Sequence, residues 1–463
     1  MASNAVWLMK AAALLASTPV AAITLPPPGG APQAIDFTRD PVINFKLAEA
    51  PTQPFLDRLG AAVEAHPAVR AAIADGEATQ SVRTQVRAGL FPQVTAQVTG
   101  AQALARDFST TTTVVERLTP RSRADASLNG DQLLFDFGAT GQRIAAANDR
   151  IRAAEAEVER TAGETELRAV SAWYDVLSFQ AFAEIGAASI ARQRDILADV
   201  RTRVAQGVGA AGDGDRVEAV LAETQAQTAR YERQLGQARA QYREAFGADA
   251  PVHLMRSAPP QSRAQSLDAA AALARQSPTL LVALRIADAA RRTASAARAD
   301  GLPRLTAGLS ATRYNAFTGN SDYEVRGTFN LRQSLFAGGR QRGVIAEAGA
   351  QARSAGHAAD RIAGETERDA VAAFSDVEVL VRALTTLETA YVANRRARDA
   401  YVEQFRVSRG SLIELLRTEQ AYAASASAYL NGVIELDVAR YALLVRTGEI
   451  LSTTGIKLTS TAL

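Results

Sequence analysis

The sequence predicts an α+β chain made of one helix–strand–strand–long helix–helix unit read twice. Three observations carry that expectation: motifs repeated at a constant offset, short segments whose polarity alternates residue by residue, and two very long runs of helical period. The pentapeptide AGETE occurs at 162–166 and again at 363–367, 201 residues apart. At the same offset Ala172-Trp173 lies over Ala373-Phe374, Asp175-Val176 over Asp376-Val377, and QLLFDFG (132–138) over QSLFAGG (333–339). Upstream, Pro67/Pro278 and Pro92/Pro303 are both 211 apart, within HPAVRAA…GLFPQVTAQVTG and SPTLLVA…DGLPRLTAGLSA. The change of offset falls between the two strands of a unit, where a loop can vary in length. Self-similarity of this kind marks a duplicated supersecondary unit.

Residues 1–22 read as an export signal. Lys10 precedes the apolar run AAALLASTPVAA, and Val20 and Ala22 suit positions −3 and −1 of a cleavage site; a frayed N-terminal helix is the competing reading. Residues 23–53, with ITLPPPGGAP, read as a linker. The first repeat is expected over 54–250: an Ala-rich helical stretch, strands over about 91–104 and 122–137, a long helix over about 139–205, and a returning helix. In QVTAQVTGAQ, Val94, Ala96, Val98 and Gly100 face one way and Gln93, Thr95, Gln97 and Thr99 the other, as in a strand with one wet face. A crossover segment follows at 251–265, where the proline pair of VHLMRSAPPQ breaks the helical pattern.

The second repeat is expected over 266–455, with strands over about 303–314 and 322–336 and a long helix over about 340–408. Tyr323, Val325, Phe329 and Leu331 alternate there with Glu324, Arg326, Thr328, Asn330 and Arg332. Loops at 106–121 and 315–322 separate the strands of each pair, and 456–463 form a C-terminal tail. Nothing breaks either long helix. Val377, Leu380, Leu384, Leu387 and Tyr391, and Thr228, Tyr231, Leu235, Ala238 and Tyr242, are heptad seams suited to coiled-coil packing. A helix of that size spans roughly 100 Å at 1.5 Å per residue.

Composition narrows the function. Net charge is +2, from 51 basic and 49 acidic residues, and no Lys/Arg run is long enough to expect nucleic acid as a partner. Cysteine is absent, which removes disulfides, thiolate metal sites, a cysteine nucleophile and an acylated N-terminal cysteine. His66, His253 and His357 are scattered, so no histidine metal site and no cofactor are expected. No Ser/His/Asp set, P-loop or H-E-x-x-H occurs. Beyond the export signal, no apolar stretch reaches the ~20 residues that cross a bilayer as a helix, whereas outer-membrane strands are short and half apolar.

QGVGAAGDGD (206–215) contains a literal G-x-G-x-x-G: Gly207, Gly209 and Gly212. A dinucleotide fingerprint needs a strand feeding a tight turn that opens a helix. Here a heptad helix precedes the glycines, and the aligned stretch of the second repeat, SRGSLIEL (408–415), has one glycine. Reversal between antiparallel helices is the preferred reading. Asp213-Gly214-Asp215 and Glu218 hint at calcium, but Val217 and Glu218 stand where an EF-type loop needs its third ligand and its glycine. Asp215 is expected to cap the returning helix.

Four strands in two well-separated pairs cannot close a barrel within one chain, and open edges are intolerable in lipid. Three chains supply twelve strands, an even number within the range of bacterial outer-membrane barrels. The fold class expected is therefore an α+β membrane protein: a homotrimer whose 12-stranded outer-membrane β-barrel is continuous with a long periplasmic α-helical coiled-coil barrel.

This duplicated plan, with its H-P and S-P openings, F-P/L-P strand entries and QLLFDFG/QSLFAGG strand exits, resembles the TolC-like outer-membrane efflux family over about residues 54–452. The resemblance implies a homotrimeric exit duct without catalytic activity, seated in outer-membrane lipid. It also implies docking to an inner-membrane ABC or proton-driven pump through a periplasmic adaptor (membrane fusion) protein. The family's narrowest point is the periplasmic tip, matched by Val208, Gly209 and Asp215 and by SRGSLIELLRTEQ (408–420), which is similar to the S-L-L-D-L-L-x-x-E tip of type I secretion members. Glu414 takes the acidic position, and Arg417 stands where some members carry a second acid. Asp213, Asp215, Arg409, Glu414 and Arg417 are the expected tip gate, with Glu414 and Asp215 pairing with Arg409 or Arg417; plain capping and solvation is the competing reading. Gly207, Gly209, Gly212, Gly410 and Ser411 are the expected tip turns and adaptor contact. The second tip and the missing lipidated cysteine lean toward type I protein secretion. Drug or metal efflux is the alternative, and a periplasmic or soluble coiled-coil scaffold is the reading of another class.

Overall fold

The structure is a computed structural model that describes residues 25–30, 32–47, 52–105, 122–317 and 322–458. The export signal and the loop 106–121 lie outside the described residues. In chain order the elements are α1 (Pro41–Asn44), α2 (Thr52–Ala65), α3 (Pro67–Ala88), β1 (Gln93–Gln102), β2 (Ser122–Phe135), α4 (Ala139–Ala205) and α5 (Asp213–Phe246). They continue with α6 (Leu267–Ala274), α7 (Pro278–Ala299), β3 (Arg304–Arg313), β4 (Tyr323–Arg332), α8 (Arg340–Arg406), α9 (Leu412–Arg446) and α10 (Ile450–Thr454). Among the described residues no helix is long and apolar enough to cross a membrane.

Two compact units emerge, and each is assembled from both repeats. Among the described residues, one takes 25–69, 161–275 and 367–458, and the other takes 70–160 and 276–366. The units cut across the sequence repeats because one repeat cannot bury its apolar faces alone.

The second unit holds all four strands. β2 pairs antiparallel with β3 as well as with β1, giving a single sheet in the order β1-β2-β3-β4. This corrects the expectation of two well-separated pairs: the pairs are distant only in sequence. The expected strand over 322–336 also ends earlier, at Arg332, and Leu335 and Phe336 lie exposed beyond it. Both strand-to-helix turns then use left-handed residues 201 apart, Phe137 and Gly138 at φ 54° and 85°, and Gly338 and Gly339 at 60° and 87°. In this unit α7 meets α8 through small side chains: Ala283 and Ala287 pack with Ala359, and Ala294 and Ala297 with Ala348.

The first unit is helical, with an aromatic core. Trp173, buried on α4, packs edge-on to Phe55 of α2 at 4.9 Å, and Tyr391 of α8 stacks on Tyr422 and Tyr429 of α9. The seam residues Leu384, Tyr391, Ala238 and Tyr242 are all buried. The crossover segment is anchored here. Trp173 Nε1 donates to Met255 O at 3.1 Å, and buried Arg256 donates to Asp437 of α9 at 2.5 and 3.0 Å and to Lys46 O at 2.5 Å.

Candidate functional site

The reversals at the ends of the long helices lie in the helical unit, and their geometry follows from the sequence. α4 ends at Ala205 and α8 at Arg406, and beyond each the chain closes the same turn. Gly207 N–H donates to Val204 O at 3.0 Å and Val208 N–H to Arg203 O at 2.9 Å. Ser408 N–H donates to Phe405 O at 3.1 Å and Arg409 N–H to Gln404 O at 2.9 Å. A left-handed residue that lets following amides satisfy the last carbonyls is how a helix ends before reversing. A Cβ on Gly410 would stand 3.0 Å from Phe405 N, and one on Gly209 would stand 3.0 Å from Val204 Cγ2. The glycines of 206–215 therefore follow a helix, with no strand before them, and close a turn.

The returning helices start differently. α5 begins at Asp213, whose Oδ2 accepts from Ala210 N–H at 3.1 Å, with Gly212 at the cap position. This corrects the expectation for Asp215: the helix starts too early for it to cap, and it sits exposed in the first turn. A carboxylate there still faces the positive end of the helix. Ser411 is the true N-cap of α9, its Oγ accepting from Ile413 N–H at 3.2 Å.

Beneath the turns, Ile196, Val200, Val217, Val402, Leu412 and Leu416 bring α4, α5, α8 and α9 into one apolar cluster. Arg203 joins the two turns by donating to Phe405 O at 2.9 Å with its guanidinium 4.3 Å over the Phe405 ring. Within one chain the expected gate charges do not meet across helices. Glu414 and Arg417 lie 3.9 Å apart on the same face of α9, while Asp215 and Arg409 make no ion pair with a described residue.

Other ionic contacts here were not anticipated. Arg192 of α4 binds Glu419 of α9 at 2.9 Å, and buried Arg398 of α8 pairs with Asp399 at 2.6 Å and lies 4.2 Å over the Tyr422 ring. Arg398 also donates to Pro26 O at 3.0 Å, and Gly29 N–H to Asp399 at 3.2 Å, so the N-terminal segment is strapped to α8. Buried Asp40 accepts from Val42 N–H at 2.8 Å, from the Tyr391 hydroxyl and from Arg395. Asp40-Pro41 is a helix-start signal in the sequence; Arg192, Arg398 and Glu419 look like ordinary solvated helix charges.

The sheet is sharply two-faced. Val94 opposes Gly130, Ala96 opposes Leu128 and Val98 opposes Ala126; Leu128 in turn opposes Ala311, and Ala311 opposes Val325. Leu305 opposes Leu331 and Ala307 opposes Phe329, while Thr306 opposes Asn330 and Thr312 opposes Glu324 on the other face. The apolar face is open: Val94 is 65% exposed, Leu309 60% and Phe329 79%. A wide apolar face of this kind belongs against lipid or a partner.

Residues 59–248 match the family model described as outer membrane efflux protein. Over that stretch the chain is similar to the outer membrane efflux protein family. This efflux protein resides in the outer membrane and extends into the periplasm, and its work is transport, not catalysis. Over 371 residues it is 24% identical to the outer membrane efflux protein BepC of Brucella suis biovar 1 (strain 1330), covering 76% of this chain and 77% of that one. It shares its fold with the outer membrane protein VceC of Vibrio cholerae at a TM-score of 0.74 and 17% identity, covering 86% of this chain and 97% of VceC. The MtrE outer membrane channel of Neisseria gonorrhoeae, solved in its open state, gives 0.73 and 16%, covering 88% of this chain and 90% of MtrE.

Proposed function

We propose that this efflux channel is the exit duct of a tripartite export system, working as a homotrimer. Three four-stranded sheets would close a 12-stranded barrel, with a coiled-coil tube of long helices in the periplasm. The two-faced sheet carries this reading. Its apolar face suits lipid, and its outer strands β1 and β4 pair with no described strand. Such edges demand neighbours in a membrane. A heat-sensitive, SDS-resistant trimer in isolated outer membranes is the expected result; a monomer there overturns the proposal.

The partners in this reading are a periplasmic adaptor, contacting the turns at Gly207, Gly209, Gly212, Gly410 and Ser411, and an inner-membrane ABC or proton-driven pump. Asp213, Asp215, Arg409, Glu414 and Arg417 would close the tip through pairs between neighbouring subunits, since Asp215 and Arg409 make none with described residues of their own chain. The cargo we favour is a polypeptide of a type I secretion system, on the likeness of the SLIELLRTE tip. Drug or metal efflux is the second reading, favoured by the family's description as efflux proteins. Deleting the gene separates them: loss of a secreted protein supports the first, and hypersensitivity to drugs or metals with an unchanged secretome supports the second.

A further inference from the structure

The polar face of the sheet treats its arginines differently at its two ends. Near the loop end Arg123 pairs with Asp125, and Arg326 binds Glu324 at 2.6 Å while Tyr314 donates to the same carboxylate at 2.9 Å. Positive charge there is matched on the spot. At the helix end, Arg304 of β3 and Arg332 of β4 are direct cross-strand partners on the same polar face. Both are exposed, and neither makes an ion pair or a side-chain hydrogen bond with a described residue. Like charges directly opposite one another destabilise a sheet.

The nearby acids are otherwise engaged. Asp136, which acts on Arg304 through space, holds the start of α4: it accepts from Gly138 N–H at 3.1 Å, Thr140 N–H at 2.8 Å and the Thr140 hydroxyl at 2.6 Å. The equivalent position 201 residues on is Ala337, which has no charge to offer Arg332. Asp131 opposes Gly308, four residues along β3 from Arg304, or roughly 13 Å at the rise of a strand.

We propose that Arg304 and Arg332 form an anion-binding ring at the helix-side end of the barrel, favouring multivalent anions as cargo. The inference rests on the trimeric barrel reading, in which three copies place six arginines around the lumen. Rings of arginine or lysine are how pores bind anions and phosphate groups. The ring is absent from the chain alone because it needs the polar faces of three sheets to converge.

The test is block of single-channel current through purified trimers in planar bilayers by inositol hexakisphosphate, added to each side in turn. Wild type is expected to show voltage-dependent block. The Arg304→Gln/Arg332→Gln trimer should need at least about tenfold more blocker, because charge-assisted contacts to phosphate are lost. Arg304→Lys/Arg332→Lys should keep the block, and the control Arg123→Gln/Arg326→Gln, which removes equal charge at the other end, should keep it within about twofold. Unblocked conductance and SDS-resistance report the integrity of each variant. A conducting wild-type trimer without block, or equal loss in the control, overturns the ring while leaving the barrel standing. A wild type that forms neither trimer nor pore overturns both.

Discussion

Gly207 and Ser408 occupy the same left-handed position, at φ 75° and 59°, in turns 201 residues apart. The first repeat uses the residue suited to that conformation, and the second holds a serine in it. A non-glycine residue there costs about 1 kcal/mol. Ser408→Gly is therefore expected to raise the melting temperature of the helical signal, and Gly207→Ser to lower it. Circular dichroism melts of the two purified variants check this; equal shifts in one direction contradict it.

Close approach separates the tip glycines from one another. A Cβ at Gly410 meets the backbone of Phe405 and Gln404 at 3.0 and 3.2 Å, whereas one at Gly212 meets nothing within 4 Å and φ there is −86°. Gly410→Ala should destabilise by about 1–3 kcal/mol and Gly212→Ala by less than about 0.5 kcal/mol. Denaturant midpoints of the two variants give the comparison directly.

Arg256 and Asp437 form a buried pair that ties the crossover segment to α9, with the Arg256 side chain 6% exposed and that of Asp437 1%. Burial pushes the Asp437 carboxyl up, and the guanidinium pulls it back. Removing one partner leaves an uncompensated buried charge. Arg256→Met is expected to cost about 3–5 kcal/mol, and adding Asp437→Leu should restore much of it. Protease resistance of the single and double variants measures both steps; a double variant no better than the single one argues against the pair.

Glu166, in the first AGETE, is wholly buried, with no hydrogen-bond partner for either carboxylate oxygen among the described residues, and burial pushes its carboxyl up to about 8. Its folded value lies above the ordinary 4.5. Its contribution is therefore fully present below about pH 4.5 and lost as pH rises toward 8, by at most about 1.4 kcal/mol per pH unit. Glu166→Gln should flatten that decline, melting higher than wild type at pH 8 and no higher at pH 4. Melting temperatures across pH 4–8 provide the check; parallel curves for both proteins rule the idea out.

The proposed tip gate makes a conductance prediction. Glu414→Ala and Arg417→Ala trimers are expected to conduct more than wild type in planar bilayers, because a pair that bridges subunits holds the constriction narrow. Wild-type conductance in both would leave Glu414 and Arg417 as a solvated pair within α9, of little energetic consequence.

Much of the fold was readable along the chain because its signals are local and doubled. Alternation of Val94, Ala96 and Val98 against Gln93, Thr95 and Gln97 depends only on strand geometry, and the AGETE offset of 201 residues recurs in the ends of α4 and α8. The glycine-rich turn could be assigned because a helix, not a strand, leads into it. The start of α5 was not readable: Gly212 and Gly214 each precede an aspartate, and only the folded backbone places Gly212 at the cap and Asp213 at the first helical position.

What only the tertiary structure decided is pairing at a distance. Nothing local distinguishes Glu166, buried in the core, from its repeat partner Glu367, which meets Arg275 in solvent. Nothing local joins β2 to β3, brings Arg398 under Pro26, or sets Arg304 opposite Arg332. Periodicity is a property of neighbours in sequence, so the chain states it outright. Burial, register and charge compensation depend on residues hundreds of positions apart, and they exist only once the backbone has brought those residues together.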